Sequence, residues 1–273
     1  MTPIPSRPTF WNVPVSGQVL IYVLGILSVL LCAWGIVKAV KFIRSGAAAQ
    51  LKKDVPEGFV QKRIVRTPVG KAHFALFWGF IFLFFGTSLA TIDWDITRLL
   101  FGFRILQGDF YLFYKLILDF AGLATLAGLG VAAWSRWIKK SVSLEASPRF
   151  AMLIGSLALI IITGFFLEAL RLAAQKPAWA GWSFVGNFIA TTLFSGVSAE
   201  KLETAHLILW WIHGIGSLAF IASIPLNFFS HMFKTPWNIF EQKLEPMGAA
   251  PKIDNIEEQE TFGISQMKQF TWK

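Results

Sequence analysis

Three of the four histidines in this chain lie in one apolar, helix-length stretch, residues 202–231, and they are the side chains best suited to chemistry. His206, His213 and His231 are separated by 7 and 18 residues. At about 100° per residue, seven steps return a side chain to within about 20° of its starting direction, and 18 steps return it to register. On one continuous helix the three imidazoles would share a stripe, and the longer interval would cover about 27 Å, near the thickness of a bilayer core. Histidines placed in this way between membrane helices are typical of a bound haem.

Four ionisable side chains inside apolar segments are suited to proton exchange with a quinol. Lys115 and Asp119 are four residues apart, and Glu168 and Arg171 are three apart, so we predict that each pair faces itself on one side of its helix. Ionisable groups inside a membrane are functional candidates by default, and quinol chemistry moves protons as well as electrons. The alternative is two mutually neutralising pairs that hold the helices together.

The elements that position these residues are apolar and long. The chain is 55% hydrophobic and 15% charged, whereas about 25% charged residues is ordinary for a soluble domain. Five segments can span a bilayer, covering roughly residues 17–43, 72–92, 110–134, 149–172 and 204–232. We therefore predict an all-α integral membrane domain of five transmembrane helices over residues 1–233 and a polar tail at 234–273. Within 179–200 we expect a short interfacial helix rather than a sixth span.

The net charge of +9 is placed unevenly along the chain. Most cations follow the first and third spans: Lys38, Lys41, Arg44, Lys52, Lys53, Lys62, Arg63, Arg66, Lys71, Arg136, Lys139, Lys140 and Arg149. The opposite loops hold only Arg98, Arg104, Lys176 and Lys201. The positive-inside rule then places the amino terminus outside and the carboxyl terminus in the cytoplasm. Because the cations flank spans and form no separate basic domain, nucleic acid is not an expected partner.

This orientation brings two histidines to the same depth. The second and fifth spans run in opposite directions, so His73 and His231 both lie near the cytoplasmic surface. They can face each other across a haem plane, each presenting a neutral nitrogen to the iron. We predict them as the axial pair of a haem b; the alternative is two interfacial residues in contact with headgroups and water.

The other two histidines lie toward the outer side. A second six-coordinate haem would need a facing ligand at that depth, and no further histidine remains in the sequence. Gly214 and Gly216 leave room beside His213 for a flat ring, so His213 is either a quinone contact or a ligand whose partner is not a histidine. His206 is either a cofactor contact or an interfacial side chain.

The five-span plan and the spacing of His213 and His231 resemble the gamma subunit of respiratory nitrate reductase. That resemblance implies two haems b stacked across the membrane, with two ligands each from the second and fifth helices. His213 and His231 match the fifth-helix pair, and His73 matches the cytoplasmic-side ligand of the second helix. Where that family has its other second-helix histidine, this chain has Leu83. We therefore expect one haem near the cytoplasm, with two as the alternative.

Four short stretches are similar to the membrane domains of heterodisulfide-reductase-like iron–sulfur oxidoreductases, and the similarity covers nearly the whole chain. They are residues 10–12, 163–171, 210–213 and 236–240. In fused members, a tail like residues 263–273 leads into a cytoplasmic domain with Cys-rich cluster motifs. The resemblance implies an iron–sulfur partner, either a separate subunit or the rest of a divided polypeptide. Some members carry electrons from electron-transfer flavoprotein to menaquinone.

Together these features predict a haem b membrane subunit that moves electrons between a cytoplasmic iron–sulfur partner and menaquinone or another quinone in a prokaryotic cytoplasmic membrane. The single cysteine, Cys32, cannot ligate a cluster alone, so we expect an electron-transfer subunit whose clusters belong to its partner. The tail at 234–273 is expected to lie extended over that partner, with disorder as the alternative. The other functional alternatives are a nitrate-reductase-type subunit serving a molybdenum enzyme, a passive membrane anchor and a small transporter.

Overall fold

The computed structural model describes residues 4–44, 61, 64–141 and 144–235. Within these ranges the chain is helical and has no strand, apart from an isolated bridge between Ser6 and Gln107. The predicted tail beyond Thr235, the 236–240 stretch and Lys52, Lys53, Lys62 and Arg63 of the first basic loop lie outside the described residues.

Five helices in the described part of the chain are long and apolar enough to cross a membrane, which confirms the predicted fold class. They are Val15–Val40, Pro68–Phe101, Gly108–Ile138, Pro148–Gln175 and Ala199–Leu226. Their outer faces carry large exposed apolar side chains. Examples are Ile26, Phe85 and Leu159, which are 62%, 63% and 55% exposed. Such surfaces suit contact with lipid, since helices satisfy their own backbone groups.

The α-helices are α1 (Val15–Arg44), α2 (Pro68–Thr91), α3 (Gly108–Ala133), α4 (Pro148–Gln175), α5 (Phe184–Leu193) and α6 (Ala199–Ser223). Two of them continue in π-helical geometry: α2 through Ile92–Arg98 and α3 through Trp134–Ile138. The short apolar α5 confirms a helix within 179–200 that is too brief to be a span.

The chain divides into two compact units, each described separately below. The larger, here called the cavity unit, comprises Met1–Leu27 and Ile64–Phe220; the smaller comprises Ser28–Arg63 and Ile221–Lys273. In the cavity unit α2 and α3 pack closely through glycines. A Cβ added at Gly79 would lie 2.7 Å from the carbonyl oxygen of Ala121, and one at Gly128 would lie 2.6 Å from that of Ala72. Small residues allow membrane helices to approach in this way.

In the smaller unit, the prediction of one helix through residues 202–231 is wrong. The α-helix ends at Ser223, because Pro225 has no N–H to donate and Asn227 is extended (φ −125°, ψ −170°). The Asn227 side chain stabilises the break by donating to Ser223 Oγ at 2.9 Å and accepting from the N–H of Phe229 at 2.8 Å. The helical angle between His213 and His231 therefore cannot be taken from their spacing.

Candidate functional site

A polar cavity of about 340 Å³ lies within the cavity unit, walled by the N-terminal segment (residues 4–14), α2, α3, α4 and α6. Its lining includes the charged side chains of Arg7, Lys115, Glu168 and Arg171 and the imidazoles of His206 and His213. Aromatic rings of Phe10, Trp11 and Trp210 complete the wall with flat apolar surface. A half-open cleft of this size, with a few convergent polar groups, is typical of a small-molecule site.

Three of the four stretches that carry the family resemblance meet at this cavity. Residues 10–11 contribute from the N-terminal segment, residues 164–171 from α4, and residues 210–213 from α6. The stretches are far apart in sequence, so their convergence is a property of the fold. The fourth stretch, 236–240, lies outside the described residues.

Glu168 organises the charges of the cavity. Its Oε1 atom accepts from Arg171 Nη2 at 2.6 Å, from Lys115 Nζ at 2.8 Å and from Ser183 Oγ at 3.1 Å. The predicted pairing of Glu168 with Arg171 is confirmed. The predicted pairing of Lys115 with Asp119 is wrong, because Lys115 reaches across to the carboxylate on α4 instead of to its own helix.

Asp119 lies behind the cavity wall and anchors α5. It is 3% exposed, and its Oδ2 atom accepts from the backbone N–H of Val185 at 2.8 Å. Val185 is in the first turn of α5, where backbone N–H groups lack helical partners and a negative charge is favoured. Asp119 thus fixes an element next to the site and does not line the cavity itself.

His213 is held in one orientation by Thr163. The Thr163 Oγ1 atom lies 2.7 Å from the carbonyl oxygen of Leu159, 3.0 Å from that of Ile160 and 2.9 Å from Nδ1 of His213. The contact to the Leu159 carbonyl is the shortest of the three, which favours a hydroxyl hydrogen directed to that oxygen. The hydroxyl oxygen then accepts from Nδ1–H of His213. In the neutral ring this leaves Nε2 as a base that can accept a proton, accept a hydrogen bond or bind a metal.

His206 is a buried histidine whose Nδ1 atom has no hydrogen-bond partner among the described residues. It is 6% exposed, its ring packs edge-to-face on Trp11 with centroids 4.6 Å apart, and it lines the cavity. Among the described residues nothing hydrogen-bonds its Nδ1 atom, and the same is true of Oγ1 of Thr9 on the same wall. Because unsatisfied buried polar atoms are costly, both atoms suit a ligand that enters the cavity.

The two histidines predicted as an axial pair belong to different units, so their pairing stays a prediction. His73 lies near the start of α2 in the cavity unit and is half-buried. His231 follows the turns after α6, and its Nδ1 lies 2.7 Å from the carbonyl oxygen of Phe228. Since that oxygen can only accept, Nδ1 carries the proton and Nε2 is the basic nitrogen of the neutral ring.

Sequence reasoning missed a charged clamp that ties the N-terminal segment to the cavity unit. Asp93 is fully buried and accepts from Arg104 Nη2 at 2.7 Å and from the backbone N–H groups of Ile105 and Leu106 at 2.6 and 2.8 Å. Arg104 Nη1 in turn donates to the carbonyl oxygen of Arg7 at 3.1 Å. We call Asp93, Arg104 and these two N–H groups the Asp93 clamp. A carboxylate at the end of an apolar span, 11 residues before a loop arginine, was the available signal in the sequence.

The fold and the cavity define the class of this protein: a multi-pass helical membrane protein with an ionised internal site. Among curated proteins, it is 30% identical over 225 residues to the EtfAB:quinone oxidoreductase of Syntrophomonas wolfei. It is 29% identical over 219 residues to the "Probable iron-sulfur-binding oxidoreductase FadF" of Bacillus subtilis. The matches cover 79% and 78% of this chain but only 31% and 30% of the relatives, so the chain spans about a third of their length.

No protein-family model matches the sequence, and no solved structure matches it. Both relatives are named as oxidoreductases and neither as a nitrate reductase subunit, so the resemblance to that gamma subunit stays a prediction.

Proposed function

We propose that this chain is the membrane part of an oxidoreductase that moves electrons between a cytoplasmic iron–sulfur partner and a quinone, with the polar cavity as the quinone site. The observation that carries this function is the convergence of three cations, one carboxylate and two imidazoles inside a bundle of apolar helices. One relative is named as a quinone oxidoreductase and the other as an iron–sulfur oxidoreductase, which supports the same partners here. A passive anchor gives no comparable account of the charged side chains and imidazoles that line the cavity.

The cavity supplies the groups that quinone chemistry needs. Reduction of a quinone to a quinol takes up two electrons and two protons at two carbonyl oxygens. Lys115, Arg171 and Arg7 can donate hydrogen bonds to such oxygens, while Nε2 of His213 can accept the proton of a quinol hydroxyl. Glu168 already accepts from two cations and a hydroxyl, so its role is to position those cations.

Haem b, implied by the family resemblance, would supply one-electron chemistry when bound. The histidines present fit it, because His231 donates Nδ1–H to a backbone carbonyl and thereby keeps Nε2 for iron. We propose that His73 and His231 would hold the haem iron. His213, which Thr163 holds in the same tautomer, would hold a second haem in place of its quinone contact should one be present. The same proposal has three further parts. The quinone is menaquinone, the iron–sulfur partner is on the cytoplasmic side, and electron-transfer flavoprotein is a partner in the electron transfer.

A reduced-minus-oxidised visible spectrum of the purified protein, with pyridine haemochrome quantitation, tests the electron-transfer function. We expect one low-spin haem b per chain, lost in His73→Ala and in His231→Ala. His206→Ala is the matched control and should keep the haem, since it removes a histidine outside the proposed pair. Absence of haem in protein made with ample haem supply would overturn the function and favour a passive anchor, and two haems per chain would overturn the single-haem assignment.

A further inference from the structure

We infer that the cavity binds its quinone-type ligand in an anionic state, a conclusion that rests on the quinone site proposed above. The ionised lining contains three cations, Arg7, Lys115 and Arg171, whereas Glu168 is the one carboxylate that lines it among the described residues. The wall therefore carries an excess of positive charge that a neutral ligand leaves uncompensated.

Glu168 cannot neutralise its two partners fully. Lys115 and Arg171 contact the same oxygen, Oε1, at 2.8 and 2.6 Å, and their side chains are only 14% and 9% exposed. One unit of negative charge thus faces two buried cations. Uncompensated charge inside a membrane protein is costly, and a bound anion relieves that cost.

Neighbouring carboxylates do not restore the balance. Asp119 acts on Lys115 through its charge, but its Oδ2 atom accepts from the first turn of α5 and it does not line the cavity. Asp93 is paired with Arg104. Arg7, the third cation, is half-buried and forms no ion pair with any residue in the described ranges. Its guanidinium is therefore available to a ligand oxygen.

The remaining lining defines the rest of the ligand. Trp11 and Trp210 offer flat apolar faces, and the unsatisfied Nδ1 of His206 and Oγ1 of Thr9 offer hydrogen bonds to ring oxygens. An aromatic ring bearing an ionised hydroxyl beside a carbonyl matches both sets of contacts. The chemical class is therefore a planar aromatic oxyanion, such as an ionised hydroxyquinone.

Paired probes test this inference on the intact chain in detergent micelles. The first is 2-hydroxy-1,4-naphthoquinone, which is an anion at neutral pH because its hydroxyl is a vinylogous carboxylic acid, and the second is its neutral 2-methoxy analogue. Quenching of tryptophan fluorescence reports binding, because two tryptophans line the cavity. At a pH where the hydroxyl is ionised, we expect the hydroxy compound to bind at least about tenfold more tightly, as a charge-assisted hydrogen bond would give.

Arg7→Gln should reduce the preference for the hydroxy compound about three- to tenfold. Lys115→Gln, which removes a cation from α3 instead of from the N-terminal segment, should have the same effect. Arg98→Gln is the matched control, since it removes the same charge from an exposed side chain that stacks on Trp94 outside the cavity. Equal binding of both probes, or an equal preference in all three variants, would overturn the anionic state while leaving the quinone site in place. If neither probe binds, the quinone site itself fails.

Discussion

One threonine hydroxyl determines which nitrogen of His213 carries the proton. Thr163 Oγ1 has two carbonyl oxygens and one imidazole nitrogen within hydrogen-bonding distance but only a single hydrogen. The glycine that follows allows the ring to come close: a Cβ at Gly164 would lie 3.3 Å from Cε1 of His213. The sequence showed His213 as a candidate, but its tautomer depends on a neighbour 50 residues away in the chain.

Thr163→Val should release that constraint while keeping the shape of the side chain. The Nδ1–H of His213 would lose its acceptor, so we expect a mixture of tautomers and a fall in quinone affinity of about three- to tenfold. Nitrogen NMR of histidine-labelled protein measures the tautomers independently of binding. Thr163→Ser should preserve the single tautomer, and Thr125→Val is a matched buried control whose hydroxyl donates to Ala121. A single Nδ1–H tautomer in Thr163→Val would contradict this account.

Removal of the Glu168 charge should destabilise the protein, because Lys115 and Arg171 would then be buried without a counter-charge. We expect Glu168→Gln to lower the free energy of unfolding by about 3–5 kcal/mol. Adding Lys115→Met should recover part of the loss, since it removes one of the two stranded cations. Chemical unfolding in detergent measures both, with the exposed Glu203→Gln as control. A double variant that is less stable than Glu168→Gln would contradict the charge argument.

At the scale of elements, the length of each apolar run predicted the positions of the helices well, whereas the spacing of charged residues predicted their partners poorly. The five spans were predicted to within a few residues at most ends, because a run of apolar residues fixes where a membrane helix lies. The fifth span failed at its end, since Pro225 and Asn227 sit within an otherwise apolar run and break the helix. Lys115 was paired with Asp119 because helical spacing predicts contacts only within one helix. Its ion-pair partner, Glu168, is on another helix.

The π-helical continuation of α2 places Asp93 in the clamp, so Asp93→Asn tests that element. Loss of the charge would leave Arg104 without its counter-ion, and we expect a loss of stability of about 3–5 kcal/mol. The N-terminal segment should also become sensitive to limited proteolysis, since Arg104 holds the Arg7 carbonyl. Asp109→Asn, at an exposed position in the first turn of α3, should cost at most about 1 kcal/mol. Unchanged proteolysis in Asp93→Asn would show that the clamp does not hold the segment.

At the scale of the whole molecule, composition and hydrophobic runs were sufficient to predict a five-span membrane protein. They could not predict the cavity, because its wall joins residues from both ends of the cavity unit. The orientation inferred from the basic loops is a further property of the whole chain and stays a prediction.

Cysteine labelling in intact cells tests that orientation. With Cys32 replaced by Ser, cysteines are introduced singly at two exposed positions, as Lys139→Cys and Lys176→Cys. We expect an impermeant maleimide to label position 176 in intact cells and position 139 only after lysis, because the basic loop after the third span should face the cytoplasm. The reverse pattern would place the amino terminus in the cytoplasm.

The N-terminal segment has a consequence for biosynthesis. Asn12 Nδ2 donates to the carbonyl oxygen of Glu203 at 2.6 Å, across 191 residues of sequence. A wall that joins the start of the chain to its last span cannot close while the ribosome is still making the residues between them. Contacts of such long range form late, so the site is completed only after α6 has emerged and inserted. Until then the wall lacks the three side chains that α6 contributes, His206, Trp210 and His213.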